Sequence, residues 1–240
     1  NIRFDNKVAL VTGASSGIGA ATAIEFAKSG AKVVVNYNTT KSGAETVVET
    51  IQSLGGQAVA LQADVTDAIQ IGRLVQDSLS HYGQIDILFN NAGTLVERKT
   101  LDETSEALFR QIVDVNFTST FLCCKAVIPH MKAQKYGRII NMTSIAARNG
   151  GGRGAGHYAA SKAAVLTLTK SLAKELAGTG IQVNAVAPGV ITTRYHDVFS
   201  TSDLREKFKS MIPLGREGSP EEVAYAVLFL ASPFADYILG

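Results

Sequence analysis

Short runs of apolar, often β-branched residues alternate with amphipathic stretches along almost the whole sequence. Amphipathic stretches such as GIGAATAIEFAKSG, SGAETVVETIQSLGG and AIQIGRLVQDSLSHYG each end at glycine, a residue that commonly follows a helix. The apolar runs are KVALVTG, AKVVVN, GQAVALQAD, QIDILFNN, GRIINMTS and IQVNAVAP. They show little polar alternation, which is typical of strands buried on both faces. The pattern predicts a doubly wound α/β fold, a parallel sheet with helices on both faces.

The composition fits one folded domain. The chain has 240 residues, of which 46% are hydrophobic and 18% are charged, so we expect a single domain over residues 1–240. A net charge of +2 without a long basic run argues against nucleic-acid binding. No group of residues suggests a metal site.

Other features predict a cytoplasmic protein that does not enter a membrane. We find no signal peptide and no apolar run that looks long enough to span a bilayer. Cys123 and Cys124 are neighbours in FTSTFLCCKAV, which favours buried free thiols in a reducing compartment over a disulfide. Because Asn1 is not a methionine, we expect the sequence to be trimmed at its start.

A glycine-rich turn follows the first predicted strand. The segment TGASSGIG places Gly13, Gly17 and Gly19 between that strand and a helix. Glycine lets the backbone approach a pyrophosphate, and a helix N-terminus offers N–H donors to its charge. The spacing differs from the common dinucleotide fingerprint, and a plain tight turn would need the same glycines. Its place in a βαβ unit favours dinucleotide binding.

The end of the second strand bears on the choice of cofactor. An acidic residue there usually holds the ribose 2′-hydroxyl of NAD, but Tyr37 takes that place, followed by Asn38, Thr39, Thr40 and Lys41. The sequence therefore favours NADP(H) over NAD(H). Tyr37 could instead pack beside the adenine and allow both. Asp64, after the third strand, could bind the adenine or cap a helix.

Tyr158 and Lys162 lie one helical turn apart in GHYAASKAA, so they share a helix face. Lowering a tyrosine pKa by roughly 3 units requires about 4 kcal/mol, which a cation about 4 Å away can supply. We therefore expect Tyr158 to exchange a proton with a substrate oxygen, with Lys162 lowering its pKa. The alternative is a surface turn with two ordinary polar residues.

Two further polar residues belong near this pair. Ser144 ends the strand GRIINMTS, at the edge where open α/β sheets bind ligands, and could polarise a carbonyl or only cap the strand. Asn116, among apolar neighbours in IVDVNFTSTF, could carry a water-mediated proton relay to Lys162 or be a satisfied core amide.

Together these pieces resemble the short-chain dehydrogenase/reductase family over essentially the whole chain. The matching segments are TGASSGIG at 12–19, NNAG at 90–93, Asn116, Ser144, YAASK at 158–162, and PG at 188–189 followed by Thr193. The resemblance implies a seven-stranded sheet in the order 3-2-1-4-5-6-7, hydride transfer from a nicotinamide, and a homotetramer.

The resemblance also assigns site residues. It implies a catalytic tetrad of Asn116, Ser144, Tyr158 and Lys162. The predicted cofactor-binding residues are Gly13, Ser15, Ser16, Gly17, Ile18, Gly19, Tyr37, Asn38, Asp64, Val65, Asn91, Ala92, Gly93, Tyr158, Lys162, Pro188, Gly189, Val190 and Thr193. Two departures stand out. The sequence ends at DYILG where the family has a last strand and an aspartate-glycine-glycine tail, which suggests a trimmed end. Ser16 replaces an arginine found in many NADP-dependent members.

The substrate is expected to be a polar, anionic ketone. Residues 190–218 form a long irregular stretch of the kind that often covers a site. The candidate substrate-binding residues are Arg98, Arg148, Arg153, His157, Arg194 and His196, and arginine suits carboxylates. NNAGTLVERK, GGGRGAGHYAASK and RYHDVF are together similar to keto-sugar and keto-uronate reductases, which we take as the first interpretation.

Two alternatives remain. IPLGREGSPEEVA and the overall chain are similar to 3-oxoacyl-acyl-carrier-protein reductases, for which Lys132, Lys135 and Arg138 could form a basic docking surface. A non-catalytic dinucleotide sensor is a remote second alternative.

Overall fold

The computed structural model describes residues 2–193, 199 and 202–240. Six strands form one parallel sheet in the order β3-β2-β1-β4-β5-β6. Each lies in one of the six predicted apolar runs, except that β2 extends one residue further, to Tyr37. The strands are β1 (Val8–Val11), β2 (Lys32–Tyr37), β3 (Gln57–Gln62), β4 (Ile87–Asn90), β5 (Gly137–Met142) and β6 (Ile181–Val186). The predicted doubly wound α/β fold is confirmed.

Helices connect the strands and follow the last one. They are α1 (Gly17–Lys28), α2 (Lys41–Ser53), α3 (Ala68–Tyr82), α4 (Glu106–Val113), α5 (Ser119–Gln134), α6 (Ala146–Asn149), α7 (Gly156–Glu175), α8 (Ser202–Met211) and α9 (Pro220–Ala231). Short 3₁₀ turns occupy Leu101–Glu103 and Pro233–Ala235, and a π-helical turn at Asp114–Thr118 joins α4 to α5.

Strand β1 shows why the sheet is covered on both sides. Side chains alternate between the two faces of a strand, and in β1 every residue is apolar. Ala9 and Val11 belong to a core cluster that also contains Phe26 of α1. Val8 and Leu10 belong to the opposite cluster, with side chains of α3, α5 and α7. Both faces of β1 are therefore buried, which agrees with its wholly apolar sequence.

The implied seventh strand is wrong for the part of the chain that the structure describes. After the last 3₁₀ turn, the chain lies along the free edge of β6. Gly240 N donates to Val183 O at 3.0 Å, and the side chain of Asn184 donates to Ile238 O at 2.8 Å. The side chain of Gln182 also donates to Asp236 O at 2.6 Å, so two of these three bonds come from side chains of β6 and no strand ladder forms there.

The helical run through α4, the π turn and α5 corrects another expectation. Residues Glu106–Gln134 form 29 helical residues that by length and composition could cross a membrane. In the structure, Cys123, Cys124, Val127 and Met131 of this run are buried in the core cluster beside α3 and α7. Packing inside the domain therefore accounts for part of the apolar composition of this run. Both cysteines are free thiols, as predicted.

Candidate functional site

The glycine-rich turn after β1 closely fits the backbone around it. Gly13 has a φ of +60°, and a Cβ there would lie 3.0 Å from the Cα of Ala92. A Cβ on Gly19 would lie 2.5 Å from the side-chain nitrogen of Asn91. Helix α1 begins at Gly17, and the side chain of Ser16 does not cap it. The first amides of α1 are thus open to an anion, so this turn fits a dinucleotide pyrophosphate.

Two side-chain amides, one buried and one partly buried, hold the turn in place. Asn36 accepts a hydrogen bond from Gly13 N at 3.2 Å and donates to Ala63 O at 3.2 Å. Asn91 donates to Thr12 O at 2.9 Å and to Gly13 O at 3.1 Å. Asn91 is among the predicted cofactor-binding residues, but Asn36 is not. Asn36 is a polar residue within a buried strand, and this pattern could have identified it as a functional residue.

The residues predicted for the adenine end lie at the carboxyl ends of β2 and β3. The side chain and carbonyl of Asn38 accept hydrogen bonds from Gln62 at 3.4 and 3.3 Å. Asp64 accepts from the amide and hydroxyl of Thr66, both at 2.8 Å, and does not cap α3. That cap is Asp67, which accepts from the amides of Ile69 and Gln70. The alternative that Asp64 is the helix cap is therefore wrong.

Helix α7 carries Tyr158 and Lys162 into the same region. The side chain of Ser144 accepts a hydrogen bond from Ala146 N at 3.2 Å, and its hydroxyl acts to lower the pKa of Tyr158. Lys162 is 2% exposed. Its ammonium donates to Met142 O at 3.0 Å and lies 5.9 Å from the centre of the Tyr158 ring. Ser144, Tyr158 and Lys162 are thus brought together at the carboxyl edge of β5.

The pKa values of the pair differ from the expectation. Burial raises the pKa of Tyr158 to about 12, and the hydrogen bond from Ser144 only partly offsets this rise. Burial also lowers the pKa of Lys162 to about 8. The expected lowering of the tyrosine pKa is not found in this structure, because burial disfavours the charged phenolate. The phenol is protonated at neutral pH.

Asn116 lies in the π turn, a feature that often occurs at functional sites. Its amide donates to Thr94 O at 2.7 Å and to Ile112 O at 2.9 Å, and its oxygen accepts from Thr94 N at 3.1 Å. A Cβ on Gly93 would lie 2.6 Å from that oxygen and 2.9 Å from the ammonium of Lys162. Asn116 is a satisfied core amide that is also close to Lys162, so its relay role stays a prediction.

A cleft of about 930 Å³ connects the glycine-rich turn with Tyr158. The predicted residues that line it are Gly13, Ser16, Gly17, Ile18, Asn91, Ala92, Gly93, Arg98, Ser144, Tyr158, Lys162, Pro188, Gly189, Val190 and Thr193. The predicted residues outside its lining are Ser15, Gly19, Tyr37, Asn38, Asp64, Val65, Asn116, Arg148, Arg153 and His157. Arg194 and His196 fall outside the described residues.

The predicted substrate residues separate into three kinds. Arg98 is half-buried in the cleft wall, whereas Arg148 and Arg153 are exposed to solvent. His157 is 8% exposed, and its Nδ1 accepts from Tyr158 N at 2.9 Å. Burial, followed by the nearby charge of Arg98, lowers the pKa of His157, so the ring is neutral and suited to this acceptor role.

Residues 190–218 contain more order than the sequence suggested. Helix α8 lies there, and an isolated bridge joins Ile191 to Gly218. Phe199, Phe208, Met211 and Ile212 line the cleft opposite the catalytic residues. Arg138 also differs from the expectation. It is 7% exposed and pairs with Asp236 at 2.8 Å, so it cannot belong to a basic docking surface with Lys132 and Lys135.

Comparisons with known proteins agree with this geometry. The family model described as Enoyl-(Acyl carrier protein) reductase matches residues 13–240. The chain is 46% identical over 239 residues to a 3-oxoacyl-[acyl-carrier-protein] reductase of Synechocystis sp., covering 98% of this chain and 93% of that protein. It is 41% identical to 3-oxoacyl-[acyl-carrier-protein] reductase FabG of Thermotoga maritima, covering 100% and 96%.

A crystal structure of a dehydrogenase/reductase from Sinorhizobium meliloti has a TM-score of 0.93 to this fold. The two chains are 36% identical, and the match covers 99% of this chain and 92% of the other.

Proposed function

The chain belongs to the short-chain dehydrogenase/reductase family of oxidoreductases, and from this premise we propose that it reduces the 3-oxo group of an acyl thioester to a secondary alcohol with NADPH. The named relatives support this substrate. They do not support the keto sugar acid that the sequence analysis took first. The thioester therefore replaces the sugar acid as our preferred substrate.

The observation that carries the proposal is that Ser144, Tyr158 and the buried Lys162 line the same cleft as the glycine-rich turn. When bound, reduced nicotinamide supplies a hydride to the carbonyl carbon. Tyr158, protonated at neutral pH, gives its proton to the carbonyl oxygen, and the Ser144 hydroxyl orients that oxygen. The ammonium of Lys162 stabilises the phenolate that this transfer leaves behind. A phenol with a raised pKa suits reduction better than oxidation, which needs the phenolate first.

The preference for NADPH is part of the proposal. The turn with Gly13 and the uncapped start of α1 fit a pyrophosphate, and no acidic residue at the end of β2 repels a 2′-phosphate. Lys41 is a nearby cation, although it is exposed and lies 3.4 Å from Glu45. We further propose that the protein is a cytoplasmic homotetramer. Its substrate would be either a small-molecule thioester or an acyl group bound to an acyl carrier.

The test is the rate of NADPH oxidation with acetoacetyl-N-acetylcysteamine, compared with NADH and with a keto-uronate. We expect turnover of the thioester and a preference for NADPH. Tyr158→Phe removes the proton donor, so it should lower kcat by about 10²–10⁴-fold while NADPH still binds. Preference for the keto-uronate would refute the thioester proposal. NADPH binding without turnover of any ketone by the unmodified chain would instead support the dinucleotide sensor.

A further inference from the structure

Arg98 joins two segments on the substrate side of the cleft. Its Nε donates to Phe199 O at 3.2 Å, and its Nη1 donates to Arg153 O at 3.0 Å. Phe199 and Gly152, the neighbour of Arg153, both line the cleft together with Arg98. One side chain from the loop after β4 therefore holds the glycine-rich loop before α7 and the segment before α8.

The glycine-rich loop is shaped to receive Arg98. Gly154 has a φ of +74°, and a Cβ there would lie 3.0 Å from the Cγ of Arg98. The same Cβ would lie 3.2 Å from the backbone of Lys99, whose amide donates to Gly154 O at 3.2 Å. A side chain at this position would push the two loops apart. The contact between Arg98 and the glycine-rich loop therefore depends on the close approach of the two loop backbones at Gly154.

A strained turn precedes Arg98. Val96 has a φ of +62°, which is rare for a β-branched residue. Glu97 N donates to Leu95 O at 2.7 Å, so the three residues form a γ-turn of the strained kind. Leu95, at 0% exposure, anchors the turn in the interior. Backbone strain of this kind persists only where surrounding contacts enforce it, and it often marks functional segments.

We propose that Arg98 is a positioning residue that fixes the substrate side of the cleft by holding its two walls together. This inference rests on the proposed reduction of a ketone. Among the residues that the structure describes, no carboxylate lies within ion-pair distance of Arg98; the neighbouring Glu97 pairs with Lys99 at 3.2 Å. The guanidinium instead donates to backbone carbonyls, a geometry in which its planar shape sets direction as well as charge.

The experiment compares Arg98→Met and Arg98→Lys with the matched control Lys99→Met. The control removes a cation from the same loop, whose side chain forms an ion pair with Glu97 and, within the described part of the chain, bonds neither Arg153 nor Phe199. Each protein is assayed on acetoacetyl-N-acetylcysteamine, which is uncharged, and on acetoacetyl-coenzyme A, which carries phosphates. We expect both Arg98 variants to raise KM roughly tenfold on both substrates. We expect kcat within about threefold and the Kd for NADPH within about twofold of the unmodified values.

A fluorescence measurement tests directly whether Arg98 holds the cleft wall that carries α8 in place. The chain contains seven tyrosines but no tryptophan, so Met211→Trp in α8, at a cleft-lining position that is 62% exposed, gives a single tryptophan that can be excited selectively at the long-wavelength edge of its absorption. Its energy transfer to bound NADPH should fall when Arg98→Met is added, because the wall that carries α8 is no longer held. Lys99→Met should leave the transfer unchanged.

Three results would overturn the inference. A KM increase confined to the coenzyme A substrate would mean that Arg98 binds phosphate directly. Full activity of Arg98→Lys would mean that charge alone suffices. Equal losses in KM, kcat, NADPH affinity and melting temperature would mean a general structural role. If the unmodified chain turns over neither substrate, the proposed function fails instead, whereas turnover without a selective KM effect rejects only the role of Arg98.

Discussion

The two halves of the cleft are built in different ways. The cofactor half depends on backbone geometry and on side-chain amides at the ends of neighbouring strands, such as the bond from Gly13 N to Asn36. The substrate half depends on one arginine that reaches two distant segments, at Arg153 and Phe199. The cofactor half is therefore a local property of a few strand ends, while the substrate half exists only after three loops have come together. Substitutions should affect the two halves separately.

After Tyr158→Phe, the largest expected effect comes from Lys162→Met, at the boundary between the halves. Loss of the cation should lower kcat by about 10²–10³-fold, because the phenolate of Tyr158 is left without its ammonium. Assays on acetoacetyl-N-acetylcysteamine check this. If kcat stays within a few-fold of the unmodified value, Lys162 has only a structural role.

The same substitution should stabilise the fold. Burial lowers the pKa of Lys162 to about 8, below the ordinary value of about 10.4. The unfolded chain therefore binds more protons between these values, and Lys162 costs stability below about pH 8 but not above about pH 10.4. Lys162→Met should raise the free energy of unfolding by roughly 1–3 kcal/mol at pH 7, with the gain vanishing near pH 10.4. Urea unfolding at both pH values measures it.

Gly13→Ala should damage the cofactor half alone. The new Cβ meets the backbone of Ala92 at 3.0 Å, and the φ of +60° is unfavourable for alanine. We expect the Kd for NADPH to rise about tenfold and stability to fall by about 1–3 kcal/mol. Gly72→Ala is the control, because nothing lies within 4 Å of its Cβ position, and it should stabilise α3 by about 0.5–1 kcal/mol. Equal NADPH affinities in the two variants would contradict the close fit of the turn.

Val96→Gly should act on the substrate half alone and more weakly. Glycine accepts a φ of +62°, so stability should change by less than about 1 kcal/mol, as relieved strain opposes the added chain entropy. The looser turn should raise KM for the thioester about two- to fourfold through Arg98, with NADPH affinity unchanged. A change in NADPH affinity without a change in KM would contradict the separation of the halves.

The smallest effect is the pH response of His157. Its pKa is lowered in the folded state by burial, then by Arg98, so below its ordinary value of about 6.5 the unfolded chain binds more protons. Stability should therefore fall as the pH drops from 7 to 5. His157→Asn retains an acceptor for Tyr158 N but does not titrate, so its melting temperature should depend less on pH. An identical pH dependence in both proteins would exclude this contribution from His157.

The contrast also explains what the sequence could predict. All six strands, the turn with Gly13, and the clustering of Ser144 with Tyr158 follow from patterns that span a few residues, and the structure shows each of them. Asn36 was missed although the pattern contained it. The contacts of Arg98, the pairing of Arg138 with Asp236 and the raised pKa of Tyr158 depend on segments far apart in sequence or on burial depth. Neither can be derived from short-range patterns.

The partners of Arg98 are main-chain oxygens, and this has a consequence for how such an enzyme can change. Residues 153 and 199 keep their role whichever side chains they carry, since their carbonyls accept the hydrogen bonds. Random mutagenesis at these two positions, with Arg98 and Gly154 held constant, should therefore return folded variants with altered substrate range at high frequency. Arg98 and Gly154 must therefore be retained during evolution, whereas the side chains at positions 153 and 199 can change under selection for new substrates.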